Sequence, residues 1–505
     1  MHRYLSLLLL LPLIALAANP NLIMANNEPA PTTALTPRAY LPLVTTGTQT
    51  TPPPDQPPPD QPPPVQRASF FVDSSWKTSG AAIEVDNQKA IHMAYHYYEA
   101  QYGGDQRTPT YAVYRYCAAN CNQGANWHEV KLLEDLGVRV NEVQLAVTPD
   151  GRPRLLLRTW RNNIYVNYDY YYAQCDTNCI DRAQWQVTYL IPVAAVSPMN
   201  LTDNDLPQRY FDVDNQGNPA FVYADANYIA EPDRYGTYYV YCQMDCGNID
   251  SWYEVQIGEH VYGTANAENF QYPSLEFTSN GQPRVLAAFT ALSGDTPMLH
   301  YLACDTGCDT VDGWKRVALW PRGQGPRPGW DLELDANDNP RVLYYPEALD
   351  NGTGSELYYG WCNINCVNPT NWGKTSLGLG AYHGAAPDLE IDAQGRSHAI
   401  FITQNSGIGY ARCNANCASS QATWQRQDID TQATLAQEWP VAFAPVCTGG
   451  IWSAWTPAMA IDSTGGLRMA FDAAYHANCW WSQDQWQSYY QMYLVQRSVR
   501  GVLIQ

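Results

Sequence analysis

The stretch YRYCAANCNQGANWHEVKLL, residues 114–133, carries two cysteines separated by three residues and, six positions after the second, a tryptophan. Five further stretches repeat it, with a tyrosine three residues before the first cysteine and a tryptophan after the second. A repeat of about sixty residues is typical of a propeller or a solenoid. The pairs are Cys117 and Cys121, Cys175 and Cys179, Cys242 and Cys246, Cys304 and Cys308, Cys362 and Cys366, and Cys413 and Cys417.

Three interpretations of each pair are open: a metal site, a redox centre or a disulfide. A zinc site needs four ligands, or three and a water, and each copy supplies two thiolates. A redox pair typically has the spacing CxxC in a βαβ unit, and both spacing and context differ here. The residue before each second cysteine is Asn, Asp or Gly, types that tolerate a left-handed backbone. With 14 cysteines and an export signal in the chain, we predict six local disulfides.

A second repeated element consists of an apolar segment, a turn and another apolar segment, as in FDVDNQGNPAFVY, residues 211–223. Glycine occupies the fourth place of the turn in five of the seven copies, where a tight connection needs positive φ. Each copy is therefore predicted to be a β-hairpin. The aligned turn residues are Asp86, Thr148, Asp214, Thr278, Asp335, Asp392 and Asp462.

Each unit is predicted to have four strands, two from the hairpin and two around the cysteine pair. Seven units across residues 67–505 predict an all-β fold, a seven-bladed β-propeller of four-stranded antiparallel blades. The last unit has no CxxxC, so its outer strands are expected in residues 487–498 and beyond. Residues 70–76 resemble a lone outer strand, and the sequence leaves open whether this strand closes the ring.

The N-terminal segment reads as an export signal followed by a spacer. Residues 1–17 combine a basic start, a short apolar run and small residues suited to cleavage, which is typical of a signal peptide. Residues 18–66 are of low complexity and end in TPPPDQPPPDQPPPVQ, which predicts a disordered Pro-rich linker. We therefore expect a secreted, extracellular protein, with attachment to the cell surface as a further option.

The composition limits the kinds of molecule that the protein is expected to bind. A net charge of -20 argues against nucleic acid, because binding to phosphates needs a basic stripe. After the signal, no run reaches the ~18 apolar residues of a transmembrane segment. The 36 tyrosines and 17 tryptophans favour rings with a polar handle, which suit surfaces that stack on sugars. We expect a monomer whose partner is a glycan or an extracellular protein.

The seven hairpins resemble those of the sialidase-like, BNR-type β-propeller repeat proteins, whose pattern is LxLDxxGxP followed by apolar residues. This chain departs from that family because CxxxC and tryptophan stand where an Asp-box, SxDxGxxW, would fall. The resemblance implies an arginine triad, a Tyr/Glu nucleophile pair and an Asp acid in active sialidases, and no residue here matches that set. HMAYHYY, residues 92–98, resembles the His and Tyr pattern of some polysaccharide lyases with related repeats.

Strand alternation assigns the loops to two faces of the propeller. Hairpin turns and cysteine turns share one face, and the loops that vary between units share the other, where binding usually resides. Lone residues on such loops are more often structural than functional. The candidate ligand-binding residues on the variable face are Trp160, Arg161, Tyr345, Tyr382, His383, Trp439, Trp452, Trp455, His476, Trp480 and Trp481.

The last two long loops hold the remaining cysteines, Cys447 and Cys479, which we predict to form a disulfide on the variable face. The tryptophans of residues 439–486 either stack on sugar rings or pack the loops onto the blade, and both interpretations stay open. We expect no cofactor. Calcium is the alternative, because Asp212 and Asp214 resemble part of a calcium loop, although the other ligands are missing.

Two functions follow, and they belong to different classes. The first is a binding or recognition module for glycan or protein ligands on the variable-loop face, which the linker, the disulfides and the aromatic loops favour. The second is a glycan-active enzyme, either a sialidase-like glycoside hydrolase or a polysaccharide lyase, with its catalytic site dispersed over several blades. The second would leave no linear motif, and a fold alone does not decide between them.

Overall fold

The computed structural model of the chain divides into two units, and all of the described residues belong to the second, Pro63–Gln505. The predicted signal peptide and linker lie outside the described residues. The structure describes residues 67–71, 78–97, 110–136, 138–160, 168–193, 209–226, 235–259, 269–290, 298–321, 329–345, 355–381, 387–403, 405–438, 447–482 and 488–504.

The described residues form 28 strands, β1 to β28 in chain order, arranged in four-stranded antiparallel sheets. The first strand and those of the first three sheets are β1 (Arg67–Phe71), β2 (Thr78–Val85), β3 (Ile91–Tyr97), β4 (Ala112–Cys117), β5 (His128–Leu132), β6 (Arg139–Val147), β7 (Pro153–Trp160), β8 (Tyr168–Gln174), β9 (Gln186–Val193), β10 (Phe211–Val213), β11 (Pro219–Ala226), β12 (Tyr235–Cys242) and β13 (Trp252–Glu259).

The later sheets continue the series and include one short α-helix. Their elements are β14 (Asn269–Phe277), β15 (Pro283–Thr290), β16 (Met298–Cys304), β17 (Trp314–Pro321), β18 (Trp330–Leu334), β19 (Pro340–Tyr344), β20 (Ser355–Cys362), β21 (Trp372–Ala381), β22 (Asp388–Ile391), β23 (Ser397–Ile402), β24 (Ile408–Cys413), β25 (Trp424–Asp430), α1 (Gln432–Glu438), β26 (Cys447–Ile461), β27 (Leu467–Ser482) and β28 (Ser488–Ile504). The 3-10 turns are Gly124–Asn126, Glu134–Leu136, Arg182–Gln184, Ile249–Ser251, Val311–Gly313 and Pro369–Asn371.

Six sheets are blades of the predicted kind, each with four consecutive strands in the order of the sequence. Blade 1 is β2 to β5, and blades 2 to 6 follow in steps of four strands up to β25. The first strand of each blade is the innermost, and neighbouring innermost strands contact each other around the ring. The β-propeller of four-stranded antiparallel blades is therefore confirmed.

The prediction of seven blades is wrong, because the described chain forms six blades of four consecutive strands. The remaining sheet, which we call the closing sheet, has the order β1-β28-β27-β26 and so combines strands from both ends of the described chain. Its strands β26, β27 and β28 run for 15, 16 and 17 residues, because this unit has no cysteine turn to break them. Arg67 pairs with Ile504, so the first strand, β1, supplies the outer edge of this sheet.

The hairpin turns form as the sequence predicts. In the first turn Asp86 accepts hydrogen bonds from the backbone N–H groups of Gln88 and Ala90, both at 2.8 Å. The fourth turn residue has positive φ in every copy, including the two copies without glycine, Lys89 and Asp338. Thr148 takes the place of the aspartate by accepting a hydrogen bond from the Arg152 N–H at 2.9 Å.

The six predicted CxxxC disulfides are confirmed, and their Cα atoms lie 5.6 to 5.7 Å apart. The residue before each second cysteine has φ between 47 and 68°, as its type predicted. These residues are Asn120, Asn178, Asp245, Gly307, Asn365 and Asn416.

The tyrosine and tryptophan of the motif hold successive blades together. Tyr172 of blade 2 meets Trp252 of blade 3 edge to face, with ring centroids 5.0 Å apart. The Trp252 indole N–H donates to the Cys246 carbonyl at 2.9 Å, so this ring is fixed by its own disulfide loop. Edge-to-face pairs add about 0.5–1.5 kcal/mol beyond the buried area. The equivalent pairs are Tyr114 with Trp185, Tyr239 with Trp314, Tyr301 with Trp372, and Tyr359 with Trp424.

Candidate binding face and the channel beneath it

The alternating strands give the propeller two faces. The turn face carries the hairpin turns and the disulfide loops, and the loop face carries the connections that enter and leave the innermost strands. Most of the loop-face connections lie outside the described residues. The described part of the loop face therefore consists mainly of strand ends, together with α1.

A cavity of about 70 Å³ lies at the ends of the innermost strands beneath the loop face. Gly80, Glu142, Arg209, Asp388 and Thr456 are among its lining residues and come from different sheets. A space of this size holds several water molecules.

A ring of carboxyl groups faces the central channel, the space enclosed by the innermost strands, which adjoins this cavity. Five innermost strands carry Asp or Glu two residues before the aligned turn residue, where the other two carry Ala146 and Ala460. Alternation along a strand places these positions on one side of each innermost strand. The acidic ring consists of Glu84, Asp212, Glu276, Glu333 and Glu390.

Arg209, which precedes β10, connects this ring across the channel. Its Nη1 donates to Glu333 at 3.1 Å and to Glu390 at 3.2 Å. Its Nη2 donates to Asp388 at 2.9 Å and to the Met459 carbonyl at 2.7 Å. One side chain of blade 3 therefore ties together blades 5 and 6 and the closing sheet.

The carboxyl groups of the channel outnumber its cations, and burial favours their neutral forms. Burial raises the pKa of Glu84 to about 8, although the positive charge of Arg209 opposes the shift. Burial also raises the pKa of Asp212 to about 7. Burial likewise raises the pKa values of Glu276, Asp331, Glu333, Asp388 and Glu390.

Two buried aspartates connect neighbouring sheets. Asp331 accepts from the Leu389 N–H at 2.8 Å. Asp472 of the closing sheet accepts from the Gly80 N–H at 2.9 Å and from the Thr456 hydroxyl at 2.5 Å. The bonds to the Leu389 and Gly80 N–H groups join blade 5 to blade 6 and the closing sheet to blade 1.

A second polar cluster lines the same cavity on blade 2. Arg158 forms an ion pair with Glu142, and Gln144 donates to Glu142 at 3.0 Å. Burial raises the pKa of Glu142, although the charge of Arg158 opposes the shift. The neighbouring Tyr210 is buried and its pKa is also raised by burial. The arrangement holds a carboxyl with a raised pKa at the wall of the cavity.

The candidate residues named from the sequence fall into three groups. Tyr345 and Trp452 are 4% and 2% exposed and pack in the core, whereas Trp455 is half-buried and donates to the Ser453 hydroxyl at 2.6 Å. The members of the second group lie on described strands, but their side chains are not described. The third group lies outside the described residues. For both groups the role as ligand contacts stays a prediction. The second group is Trp160, His476, Trp480 and Trp481, and the third is Arg161, Tyr382, His383 and Trp439.

Cys447 and Cys479 stand directly opposite each other in the register of β26 and β27. Their side chains lie outside the described residues, so the disulfide between them stays a prediction. Asp214, named from the sequence for calcium, accepts the Gln216 and Asn218 N–H groups of its own turn, at 2.8 and 2.9 Å. Among the described residues no group of three or more His, Cys, Asp or Glu is placed to hold a metal ion.

Sequence reasoning missed Arg209 and the acidic ring. The signal was present, because five of the seven hairpins place Asp or Glu two residues before the turn residue, as in LELD and LEID. Arg209 left no such signal, since it stands before a strand in only one unit. In the described part of the chain no helix is long and apolar enough to span a membrane.

Comparison with known proteins finds solved structures that this chain resembles at low sequence identity. No protein-family model matches the sequence, and no curated protein matches it. An α-L-arabinanase of Penicillium chrysogenum is similar at 11% identity and a TM-score of 0.45, covering 72% of this chain and 99% of that one. The intramolecular trans-sialidase of Ruminococcus gnavus has 10% identity and a TM-score of 0.39, covering 85% and 96%. A protein of unknown function from Dyadobacter fermentans has 12% identity and a TM-score of 0.43, covering 88% and 99%.

Proposed function

We propose that this protein is an extracellular recognition propeller that binds glycan or protein ligands on its loop face. One observation carries the proposal: the charged groups in and around the cavity beneath that face contact one another. Arg209 binds Glu333, Asp388 and Glu390, and Arg158 binds Glu142. This arrangement suits the floor of a binding surface better than a reaction chamber.

The frame around this floor suits a binding role. Six disulfides and the Tyr–Trp contacts hold the blades together near the turn face, opposite the strand ends from which the loops emerge. Rigid scaffolds with varied loops are common binding devices. At one such strand end Tyr97 and Tyr111 stack with their centroids 4.6 Å apart. Local disulfides are also typical of proteins that work outside the cell.

A second candidate function, glycan cleavage, is favoured by Glu142. This carboxyl lines the cavity beneath the loop face, and a raised pKa is what a general acid requires. Cleavage would need the loop face to bring the glycosidic bond to that carboxyl. Glu142→Gln removes the acidic proton that a general acid would donate and nearly preserves the shape of the side chain, so it separates the two functions.

The experiment is a glycan array probed with the whole protein, followed by an assay of reducing-end release on every glycan that binds. We expect saturable binding that is lost in Trp480→Ala with Trp481→Ala and unchanged in Glu142→Gln. Met244→Ser is the matched control, because Met244 is 79% exposed on the turn face. Release of reducing ends that Glu142→Gln abolishes would establish the second candidate and contradict the first.

A further inference from the structure

One position on the second strand of each hairpin is basic in every sheet except that of blade 3. This position lies six residues after the aligned turn residue, near the end of the second strand that is closest to the turn face. Blade 3 has Ala220 at this position. The basic residues in the other sheets are His92, Arg154, Arg284, Arg341, His398 and Arg468.

Three of the four arginine copies bind two equivalent carbonyl oxygens, and the fourth, Arg468, binds the Leu467 carbonyl and the turn residue Asp462. In blade 5, Nη1 of Arg341 donates to the Pro340 carbonyl at 3.1 Å and to the Cys362 carbonyl at 2.9 Å, and Nη2 pairs with the turn residue Asp335. Arg154 and Arg284 make the same two carbonyl contacts in blades 2 and 4. The fold thus builds a guanidinium site from two carbonyls and a nearby carboxylate.

The histidine copies place a ring nitrogen at the same position. His398 contacts the turn residue Asp392 at 3.2 Å and the Tyr410 hydroxyl at 2.7 Å. His92 contacts Asp86 at 3.3 Å and the Tyr114 hydroxyl at 2.8 Å. Where arginine is absent, the turn aspartate and the motif tyrosine therefore still hold a nitrogen base.

Blade 3 keeps the acceptors of this site but not the base. Pro219, Cys242 and Asp214 are the counterparts of Pro340, Cys362 and Asp335, and all three line a cleft between blades 3 and 4. The cleft has a volume of about 480 Å³ and opens on the turn face. Its counterpart between blades 5 and 6 has a volume of about 470 Å³ and is lined by Arg341.

We propose that the cleft at Ala220 is a binding site for a guanidinium group supplied by a ligand, such as an arginine side chain of a peptide. The guanidinium would occupy the place that Arg341 fills in blade 5, with the Pro219 and Cys242 carbonyls and the Asp214 carboxylate as acceptors. This site lies on the turn face and is independent of the ligands proposed for the loop face.

The walls of the cleft fit a planar cation. Tyr239 and Tyr241 line it, and their rings stack with centroids 5.4 Å apart. Guanidinium groups stack on aromatic faces and form forked hydrogen bonds with carboxylates. Nδ2 of Asn218 donates to Oδ2 of Asp214 at 2.8 Å, whereas the equivalent Asp335 of blade 5 accepts from Asn339 Nδ2 and from Arg341 as well. An amide supplies no charge, so a ligand cation would gain a charge-assisted bond there.

The test is a titration of the whole protein with methylguanidine, followed by calorimetry and by ligand-detected NMR, with a capped arginine as the second probe. We expect one saturable site with a Kd of roughly 1 mM for methylguanidine, within the limit for so small a ligand. Ala220→Arg should abolish binding, because the new side chain fills the site from within. Asp214→Asn should weaken binding by about tenfold or more, because it removes the charged acceptor.

Two controls keep the result decisive. Tetramethylammonium carries the same charge without N–H donors, and it should bind at least about tenfold more weakly. Arg341→Ala opens the counterpart cleft, so methylguanidine should raise the melting temperature of that variant more than that of the natural protein. Equal binding of tetramethylammonium, unchanged binding in Ala220→Arg, or the absence of saturable binding would each overturn the proposal.

Discussion

Replacing Glu84 with glutamine should stabilise the protein at neutral pH and leave its stability almost unchanged at acidic pH. Glu84 is the blade 1 member of the acidic ring, and its pKa is raised by burial from 4.5 to about 8, against the opposing charge of Arg209. Glu390 and Asp212 add like charge to the same channel. The folded protein therefore keeps a proton on Glu84 that the unfolded chain has lost at pH 7.

The magnitude follows from this difference in pKa. A carboxyl whose folded pKa is raised contributes stability that is full below the unfolded value and is lost as the pH rises through the folded value. At about 1.36 kcal/mol per pKa unit, and without screening by solvent, the raised pKa of Glu84 would lower the free energy of unfolding by about 3 kcal/mol at pH 7. Glu84 keeps some exposure to solvent, which screens part of this cost, so we expect Glu84→Gln to raise the free energy of unfolding by about 2 kcal/mol at pH 7.

The assay is chemical unfolding of both proteins at pH 4.5 and pH 7, with the difference in unfolding free energy compared between the two pH values. Glu134→Gln is the matched control, because Glu134 is exposed beside Lys131 and lies outside the channel. The control should change stability by less than about 0.5 kcal/mol at either pH. A Glu84→Gln effect of equal size at both pH values, or a loss of stability at pH 7, would refute the reasoning.

Three further changes test other parts of the structure. Arg209→Met should lower the unfolding free energy by about 3–5 kcal/mol at pH 7, because it leaves buried carboxylates unpaired, and equal stability in chemical unfolding would contradict this. His398, whose pKa burial lowers to about 4 despite the opposing charge of Asp392, should make the protein lose stability as the pH falls from 6.5 to 4. His398→Gln should reduce that loss of stability by about 2–3 kcal/mol, and the melting temperature should therefore fall less across the same pH range. Replacing Cys304 and Cys308 together by serine should cost about 2 kcal/mol, the loop-entropy value for five residues, and no loss on unfolding would refute that account.

The architecture could be predicted from the sequence wherever a unit repeats. Six copies of one motif supplied six disulfides, the left-handed residue before each second cysteine, and the strand pair around it, because each feature depends on neighbours close in the chain. The closing sheet could not be predicted in this way. It lacks the cysteine turn, and β1 pairs with β28 across more than four hundred residues, a contact that no local pattern specifies.

The functional site was less accessible to sequence reasoning, because it depends on side chains brought together from different sheets. Arg209 gains its importance from Glu333, Asp388 and Glu390, which lie more than a hundred residues away along the chain. Trp452 shows the converse problem, since an aromatic residue in a long tryptophan-rich segment is part of the core here. The sequence places the repeated turns on the face opposite the variable loops, and Ala220 is the one departure from the basic residue at its position in the repeat.

The central claim is that the loop face binds a ligand without chemical change to it. The most direct measurement is the array of glycans probed with the whole protein, with reducing-end release measured on each glycan that binds. Our account predicts saturable binding, no release over many hours, and the same result for Glu142→Gln. Release of new reducing ends by the natural protein that disappears in Glu142→Gln would contradict it.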